Sequence, residues 1–246
     1  MWAVLCNTPD PAATWIAEAM RRRGLGPVEL IPAELLLQAP RWDHRVGAEG
    51  ASVSVTLGDG RAIQSDEIRG VLNRILYIPP AATAVAVAED REYALQELTA
   101  FFMSWLRALP PPVIGLPTPQ GLSGSWRHLS EWVQLAAAAG LPTAPYRLGS
   151  SWGDGAGLEQ RLAPPGAELR TVITIGNRAF ARWAPAELLD GCTRLARLAE
   201  ADMLGVDFAV ANGQPSLAGA SPVPDLRLGG EPAVDHLVAL FRGEAA

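Results

Sequence analysis

The chain opens with a strand–helix–strand pattern, which constrains its fold more than any other feature of the sequence. The apolar run at residues 2–7 predicts a buried strand, residues 11–23 predict an amphipathic helix, and residues 28–31 predict the next strand. Asp10 is the predicted N-cap of that helix, with Pro11 at its first position. Strands joined through a helix usually lie parallel in one sheet, so the chain is predicted to begin with an α/β domain.

The remainder of the first half completes this domain. Residues 52–57 and 61–63 predict a hairpin around the turn Gly58-Asp59-Gly60, and residues 70–75 predict another strand. Residues 89–109 predict the longest helix, because apolar side chains form a broad stripe along one face. A proline-rich connector follows at residues 110–119. We therefore predict a first domain over residues 1–110, with a mainly parallel sheet.

The second half favours a domain of different type over residues 120–246. Its strands follow one another through tight turns, which is typical of antiparallel pairing. The predicted elements are a helix at 125–139, strands at 170–175 and 178–183, a helix at 188–201, a hairpin at 206–211 and 215–218, and a closing helix at 232–242. The sequence thus predicts a two-domain α/β protein whose second domain is α+β.

Composition excludes several classes of protein. Apolar residues make up 49% of the 246 residues and charged residues 19%, which is typical of a folded chain rather than a disordered one. A net charge of -6 argues against nucleic acid as a partner. No apolar stretch approaches the ~20 residues of a membrane span, and no signal peptide is visible, so we expect a cytoplasmic protein. Cys6 and Cys192 form no CxxC motif, which argues against a zinc site.

The chain contains no lysine, because its 20 Lys plus Arg residues are all arginine. A Schiff-base enzyme and a Walker-type P-loop each need a lysine, so both classes are excluded. The many Gly, Pro, Ala and Arg residues indicate a GC-rich genome as the general cause of this bias.

Several segments carry a family resemblance. Residues 129–145 are a helix followed by Gly140-Leu141-Pro142, residues 158–181 have the sequence LEQRLAPPGAELRTVITIGNRAFA, and residues 204–208 have the sequence LGVDF. Residues 71–74 (VLNR) end a strand with an arginine, and residues 221–224 (SPVP) lie near the end of the chain. Together these segments resemble the ATP-grasp superfamily, in the branch of RimK-type ligases and ribosomal-peptide maturases.

The resemblance implies a known fold and a known chemistry. An N-terminal α/β domain would precede an ATP-grasp domain, with ATP and Mg²⁺ as cofactors and carboxylate–amine ligation as the activity. Family members hold ATP with two lysines; the first falls on Leu129 here, and the second belongs to a small lid subdomain. Only residues 152–157 stand in place of that lid, too few for two strands of ordinary length. We therefore expect a shortened ATP-grasp-like domain that lacks the small lid subdomain.

The metal ligands that the resemblance implies are also incomplete. Asp207 matches the first carboxylate of the family, whereas its glutamate and asparagine fall on Gly219 and Ser221. Since Mg²⁺ needs hard oxygen ligands, one of three remains. We interpret Asp207 as the relic of a metal site.

Two arginines are candidates for binding an anion. Arg170 is predicted to contact a phosphate or a substrate carboxylate, since a guanidinium pairs with either through two hydrogen bonds. The alternative is a surface charge paired with Glu168. Arg74 is predicted to bind a substrate anion in a cleft between the domains, and its alternative is an ordinary salt bridge.

Two tryptophans are candidates for a protein interface. Loss of the lid is expected to uncover the sheet around Val172, Ile173 and Ile175, next to Trp152 and Trp183. Exposed apolar area with aromatic anchors is typical of interfaces. We therefore expect a homodimer or a stable complex with a protein partner.

Three functions remain open from the sequence. The first is a non-catalytic binding or scaffold protein in a peptide- or natural-product-modification pathway, with no cofactor and no catalytic residue. The second is an active ATP-dependent carboxylate–amine ligase in which arginines replace the lysines. The third is a module that binds a peptide or a small carboxylate without ATP. Nucleotide binding distinguishes the first two.

Overall fold

The computed structural model describes residues 1–48, 50–144 and 166–244. The chain divides into two compact units, which we call unit 1 (Met1–Ser125 with Val234–Ala246) and unit 2 (Trp126–Ala233). The elements of unit 1 up to Ser125 are β1 (Trp2–Cys6), α1 (Pro11–Arg22), β2 (Val28–Pro32), α2 (Ala33–Leu37), β3 (Arg41–Gly47), β4 (Gly50–Thr56), β5 (Ala62–Gln64), β6 (Gly70–Arg74), α3 (Arg91–Arg107) and β7 (Val113–Ile114). The remaining elements are α4 (Leu129–Ala138), β8 (Glu168–Ile175), β9 (Arg178–Phe180), α5 (Ala186–Leu198), β10 (Met203–Ala211), β11 (Gln214–Ser221) and α6 (Gly230–Arg242).

Unit 1 is built on a four-stranded sheet in the order β2-β1-β6-β7, and every pair in it is parallel. This confirms the prediction from the strand–helix–strand opening. Asp10 caps α1 as predicted, since its Oδ1 accepts a hydrogen bond of 2.9 Å from the backbone N–H of Ala13. Such a cap satisfies one of the four free N–H groups at a helix start.

The packing on one face of the parallel sheet requires a glycine at position 70. Trp2 pairs with Gly70 across β1 and β6, and a Cβ at position 70 would lie 2.7 Å from the Trp2 ring. The Phe241 ring of α6 packs on the same indole at a centroid distance of 5.3 Å. Any side chain at position 70 would therefore displace the tryptophan from this contact.

The other face packs against α3 and a three-stranded sheet, order β3-β4-β5, which contains the predicted hairpin. The half-buried Trp42 of β3 packs against this core, with its ring 5.0 Å from Trp105 and 5.1 Å from Phe101 of α3. Strand β3 was not among the predicted elements. Its signal is the alternation of polar Arg41, Asp43 and Arg45 with Trp42 and His44, a two-residue period typical of a half-buried strand.

Unit 2 contains an antiparallel sheet in the order β11-β10-β8-β9, as predicted for the second half of the chain. Helices α4 and α5 pack on one face, over buried side chains that include Val172, Val206 and Phe208. Helix α4 begins at Leu129 rather than near residue 125, because the Nδ1 atom of His128 accepts a hydrogen bond from the N–H of Ser130 and caps it there.

The division between the units falls at residues 125 and 126, beyond the proline-rich connector. Part of that connector forms β7, which pairs with β6 and so belongs to unit 1. The end of the chain from Val234 also groups with unit 1, through contacts such as Phe241 on Trp2. None of the described helices is both long and apolar enough to cross a membrane.

Candidate functional site

The predicted anion-binding residue Arg74 lies at the carboxyl end of β6, the edge where parallel α/β sheets usually bind ligands. Its side chain is 4% exposed and pairs with Asp10 through two hydrogen bonds, 2.8 Å from Nε to Oδ2 and 3.2 Å from Nη2 to Oδ1. The salt bridge that the sequence left open as the alternative is therefore present. Because Asp10 is also the N-cap of α1, one carboxylate both neutralises the arginine and caps the start of the helix.

The neighbouring Asn73 organises the same edge of the sheet. It is fully buried, and its Nδ2 donates to the carbonyl oxygens of Gly115 at 2.8 Å and Leu122 at 2.6 Å. Its Oδ1 accepts from the N–H of Ile75 at 3.1 Å. Gly115 has a φ of +82°, and a Cβ there would lie 2.3 Å from the Asn73 carbonyl oxygen. The Asn-Arg pair that ends β6 thus makes structural contacts within unit 1.

Cys6 lies beside this ion pair, opposite Arg74 in the pairing of β1 with β6. Burial raises the pKa of its thiol to about 12, and the carboxylate of Asp10 adds to the increase. Burial likewise raises the pKa of Cys192 to about 12. Since the thiolate is the nucleophilic form of cysteine, neither side chain is suited to covalent catalysis at neutral pH.

The second candidate region is the centre of the unit 2 sheet, around Asp207 of β10. Asp207 is half-buried, and its Oδ1 accepts a hydrogen bond of 2.6 Å from the hydroxyl of Thr171 on β8. On its other side Asp207 pairs directly with Gly219 of β11. A Cβ at position 219 would meet nothing within 4 Å, so the place beside the carboxylate has room for a side chain.

Ser221 of β11, which stands in place of the family's asparagine, pairs with Gly205 of β10. Its Oγ accepts a hydrogen bond of 3.2 Å from the N–H of Val223. Among residues 1–48, 50–144 and 166–244, no group of three or more His, Cys, Asp or Glu side chains is placed to hold a metal ion. The donor set around Asp207 therefore does not fit a Mg²⁺ ion held by several protein carboxylates.

Arg170 and Asp207 do not share a site. Arg170 pairs with Phe208 across β8 and β10, whereas Asp207 pairs with Thr171. Directly paired residues share a face and successive residues alternate faces, so Arg170 and Asp207 project from opposite faces of the sheet. A ligand held by Asp207 on one face is not within reach of an arginine on the other.

The Arg170 side chain lies over the Trp183 ring, with the guanidinium carbon 5.7 Å from the ring centroid. Its Nη2 donates to Glu168 at 2.7 Å, which is the pairing left open as the alternative from sequence. That hydrogen bond lowers the pKa of the Glu168 carboxyl. Arg170 is thus held by an anionic and an aromatic partner from its own unit.

Trp183 is anchored within unit 2. It is half-buried, its indole N–H donates to the carbonyl oxygen of Thr171 at 3.2 Å, and its ring lies 5.9 Å from Phe208 in an edge-on arrangement. Its role in a protein interface stays a prediction. Trp152, the other predicted anchor, and the segment expected to replace the lid lie outside the described residues.

The expectation that the sheet around Val172, Ile173 and Ile175 would be uncovered is wrong. These side chains are 0%, 0% and 1% exposed. Val172 belongs to the core under α4 and α5. On the opposite face, Gly229 lies so close to the sheet that a Cβ there would be 3.3 Å from the Cβ of Ile173. The turn at residues 226–229 therefore covers the face that was expected to be open.

The fold can be compared with solved structures. The macrocyclase MdnC of Microcystis aeruginosa MRC, bound with precursor peptide MdnA, superposes with a TM-score of 0.69 over 98% of this chain and 99% of that one, at 11% identity. A RiPP-associated ATP-grasp ligase of Chryseobacterium gregarium, in complex with ADP and a leader and core peptide, gives 0.72 over 100% and 97%, at 11% identity. The ATP-grasp ligase PsnB, with minimal precursor, Mg and ADP, gives 0.66 over 98% of each chain, at 17% identity.

The chain has the ATP-grasp fold. This confirms the resemblance drawn from the sequence motifs and the expected α/β class. No family model matches the sequence, and no curated protein matches it. At these identities the likeness is one of ATP-grasp architecture, so the function has to be argued from the residues.

Three hydrogen bonds were not foreseen from the sequence. The bonds from Asn73 to Gly115 and Leu122 join residues more than forty positions apart, so no local pattern shows them. The bond from Thr171 to Asp207 depends on the register of β8 against β10. An alternating pattern predicts each strand but leaves this register open.

Proposed function

We propose that this chain is a non-catalytic ATP-grasp-like protein that binds a peptide in a peptide-modification pathway. The observation that carries the proposal is the pairing of Asp207 with Gly219. Where the family has a second carboxylate, this chain has no side chain at all. Loss of that ligand removes the basis for Mg²⁺-dependent phosphate chemistry.

The argument against Mg²⁺ rests on oxygen ligands. In nucleotide sites Mg²⁺ has near-octahedral oxygen coordination, supplied by one or two carboxylates together with substrate phosphates and water. Asp207 offers one carboxylate, and Thr171 already donates a hydrogen bond to it. Ser221 contributes a hydroxyl that accepts from Val223. With one carboxylate and no established phosphate cradle, we expect this set to bind Mg²⁺ weakly.

The argument against ATP rests on charge. A triphosphate needs preorganised cationic groups, and a lysine is absent from the whole chain. The two arginines suggested by the sequence are each held by a carboxylate, Arg74 by Asp10 and Arg170 by Glu168. A phosphate would have to compete with these internal anions.

A peptide is the partner class that the comparisons support. Two of the similar structures hold a precursor peptide or a leader and core peptide, and a third holds a minimal precursor. We infer from this likeness that peptide binding is the part of the family's activity that this chain has retained.

Titration calorimetry with ATP and excess Mg²⁺ tests the proposal. We expect no saturable heat at millimolar nucleotide and no ADP release in the presence of amino acids or peptides. Micromolar, Mg²⁺-dependent ATP binding would overturn the proposal and establish the alternative, an ATP-dependent carboxylate–amine ligase with an atypical nucleotide site.

A variant that adds a metal-binding carboxylate tests the role of Gly219. Gly219→Glu places a carboxylate beside Asp207, in a position with free space. Because divalent-cation affinity rises with the number of charged ligands, we expect Mn²⁺ to bind this variant at least about 10-fold more tightly than the unaltered protein. Gly219→Gln and the double variant with Asp207→Asn are the matched controls, and neither should show the gain. Equal Mn²⁺ affinity in all four proteins would contradict the assignment.

A further inference from the structure

Residues 75–88 of unit 1 carry no charged side chain, and yet much of this segment is exposed. Four of its large apolar residues, together with a tyrosine in the first turn of α3, form a surface that we call the apolar ledge. Its members are Leu76, Tyr77, Val85, Val87 and Tyr93, which are 38%, 51%, 99%, 63% and 65% exposed. Large apolar side chains exposed this close together along the chain are typical of a binding surface.

The apolar ledge is held in place by its own backbone. Successive turns close through hydrogen bonds from the N–H of Ala86 to the carbonyl of Thr83 at 3.0 Å and from Asp90 to Val87 at 3.0 Å. At the other end, Asn7 donates to the carbonyl of Tyr77 at 3.0 Å. Because the backbone is ordered before a partner arrives, binding would lose little conformational entropy.

The charges beside the apolar ledge are negative. Glu89, Asp90 and Glu92 lie between Val87 and Tyr93 in the sequence, are exposed, and take part in no ion pair within the described part of the chain. The nearby Arg91 turns its Nε back to the carbonyl oxygen of Ala86, at 3.3 Å. We call Glu89, Asp90 and Glu92 the acidic rim. Such a rim favours partners that carry positive charge.

We propose that the apolar ledge and the acidic rim form a docking site for a peptide segment in which apolar side chains lie next to arginine or lysine. A second copy of this chain is disfavoured, because in a twofold contact the same acidic patch lies on both partners. An anionic lipid surface is disfavoured by the same charges. The proposed site is formed by residues of unit 1, whereas Asp207 belongs to unit 2, and the proposal does not depend on whether nucleotide binds.

Fluorescence anisotropy with two labelled synthetic peptides tests this site. One has a centre rich in leucine and phenylalanine and two arginines at each end; the other has glutamates in place of the arginines. We expect the basic peptide to bind at least about 10-fold more tightly than the acidic one, a difference of about 1.4 kcal/mol. The preference should shrink in high salt, because exposed charges are screened.

Two sets of variants locate the site. Val85→Ser with Val87→Ser removes apolar contact without adding charge and should weaken binding of the basic peptide at least about 10-fold, whereas Val46→Ser, at a valine on β3 that is 71% exposed, should not. Neutralising the acidic rim with Glu89→Gln, Asp90→Asn and Glu92→Gln leaves the apolar side chains unchanged and should remove most of the salt dependence. Circular dichroism checks that each variant is folded.

Several results would overturn the proposal. These are failure of the basic peptide to bind, equal binding of both peptides, or binding that the two sets of variants leave unchanged. Light scattering that shows a dimer dissociated by the Val85 and Val87 changes would assign the ledge to a second copy instead. If the protein sediments with anionic phospholipid vesicles and the same variant does not, the apolar ledge would be assigned to a membrane surface.

Discussion

Asp10→Ala should lower the free energy of unfolding by about 3–5 kcal/mol, because it leaves the buried guanidinium of Arg74 without its carboxylate. Loss of the N-cap of α1 adds about 1 kcal/mol to this effect. Urea denaturation followed by circular dichroism and tryptophan fluorescence measures the change.

Two further variants separate the causes. Asp10→Asn keeps an oxygen that can accept a hydrogen bond but removes the charge, so the difference between Asp and Asn reports the charge, and the difference between Asn and Ala reports the remaining hydrogen bonds, the N-cap among them. Asp59→Ala is the control for a carboxylate–arginine pair in the same unit, since Asp59 and Arg61 pair with 44% of each side chain exposed. Its effect should be much smaller, because exposed pairs contribute little. An Asp10→Ala protein as stable as the unaltered one would show that the pair makes no net contribution.

Asn73→Asp should lower the free energy of unfolding by about 2–6 kcal/mol, since two buried carbonyls lose a donor and each such loss costs about 1–3 kcal/mol. The new carboxylate faces the carbonyl oxygens of Gly115 and Leu122, which favour the protonated form that can donate to one of them. The pKa of the new carboxyl is therefore raised in the folded state, and the stability defect should shrink as the pH falls.

Asn212→Asp is the matched control, because it makes the same chemical change in an exposed turn with a φ of 51°. Denaturation at neutral and at mildly acidic pH compares the two variants. A defect in Asn73→Asp that grew as the pH fell would contradict the donor role of the Asn73 amide.

The sequence predicted the fold well where local signals are strong. A parallel sheet followed by an antiparallel one was predicted, and both are present. The prediction rested on the period-two and helical patterns, on the N-cap at Asp10 and on the turns around Gly176 and Gly213. Strand β3 was missed, because Arg41, Asp43 and Arg45 make it look like a polar connector, although Trp42 packs against the core.

The candidate site was less predictable, because it depends on register and on contacts distant in sequence. Arg170 and Asp207 were both nominated as functional residues, and only the pairing of β8 with β10 shows that they project from opposite faces. Ile173 is buried by a turn that lies more than fifty residues later in the sequence. That turn can approach the sheet this closely only because residue 229 is a glycine. The Glu168 partner of Arg170 was foreseen, since residues two apart on a strand share a face.

The return of the chain to unit 1 has a consequence for biosynthesis. Phe241 packs on Trp2, and Arg23 of the segment after α1 pairs with Asp235 of α6 at 2.6 Å. Domains ordinarily fold in the order in which the ribosome makes them, the N-terminal one first. Here all of unit 2 is synthesised before the residues that cover Trp2 exist. Unit 1 therefore reaches its final packing only after unit 2 has been synthesised, and the nascent chain must keep the Trp2 face of its sheet from aggregating until α6 has been made.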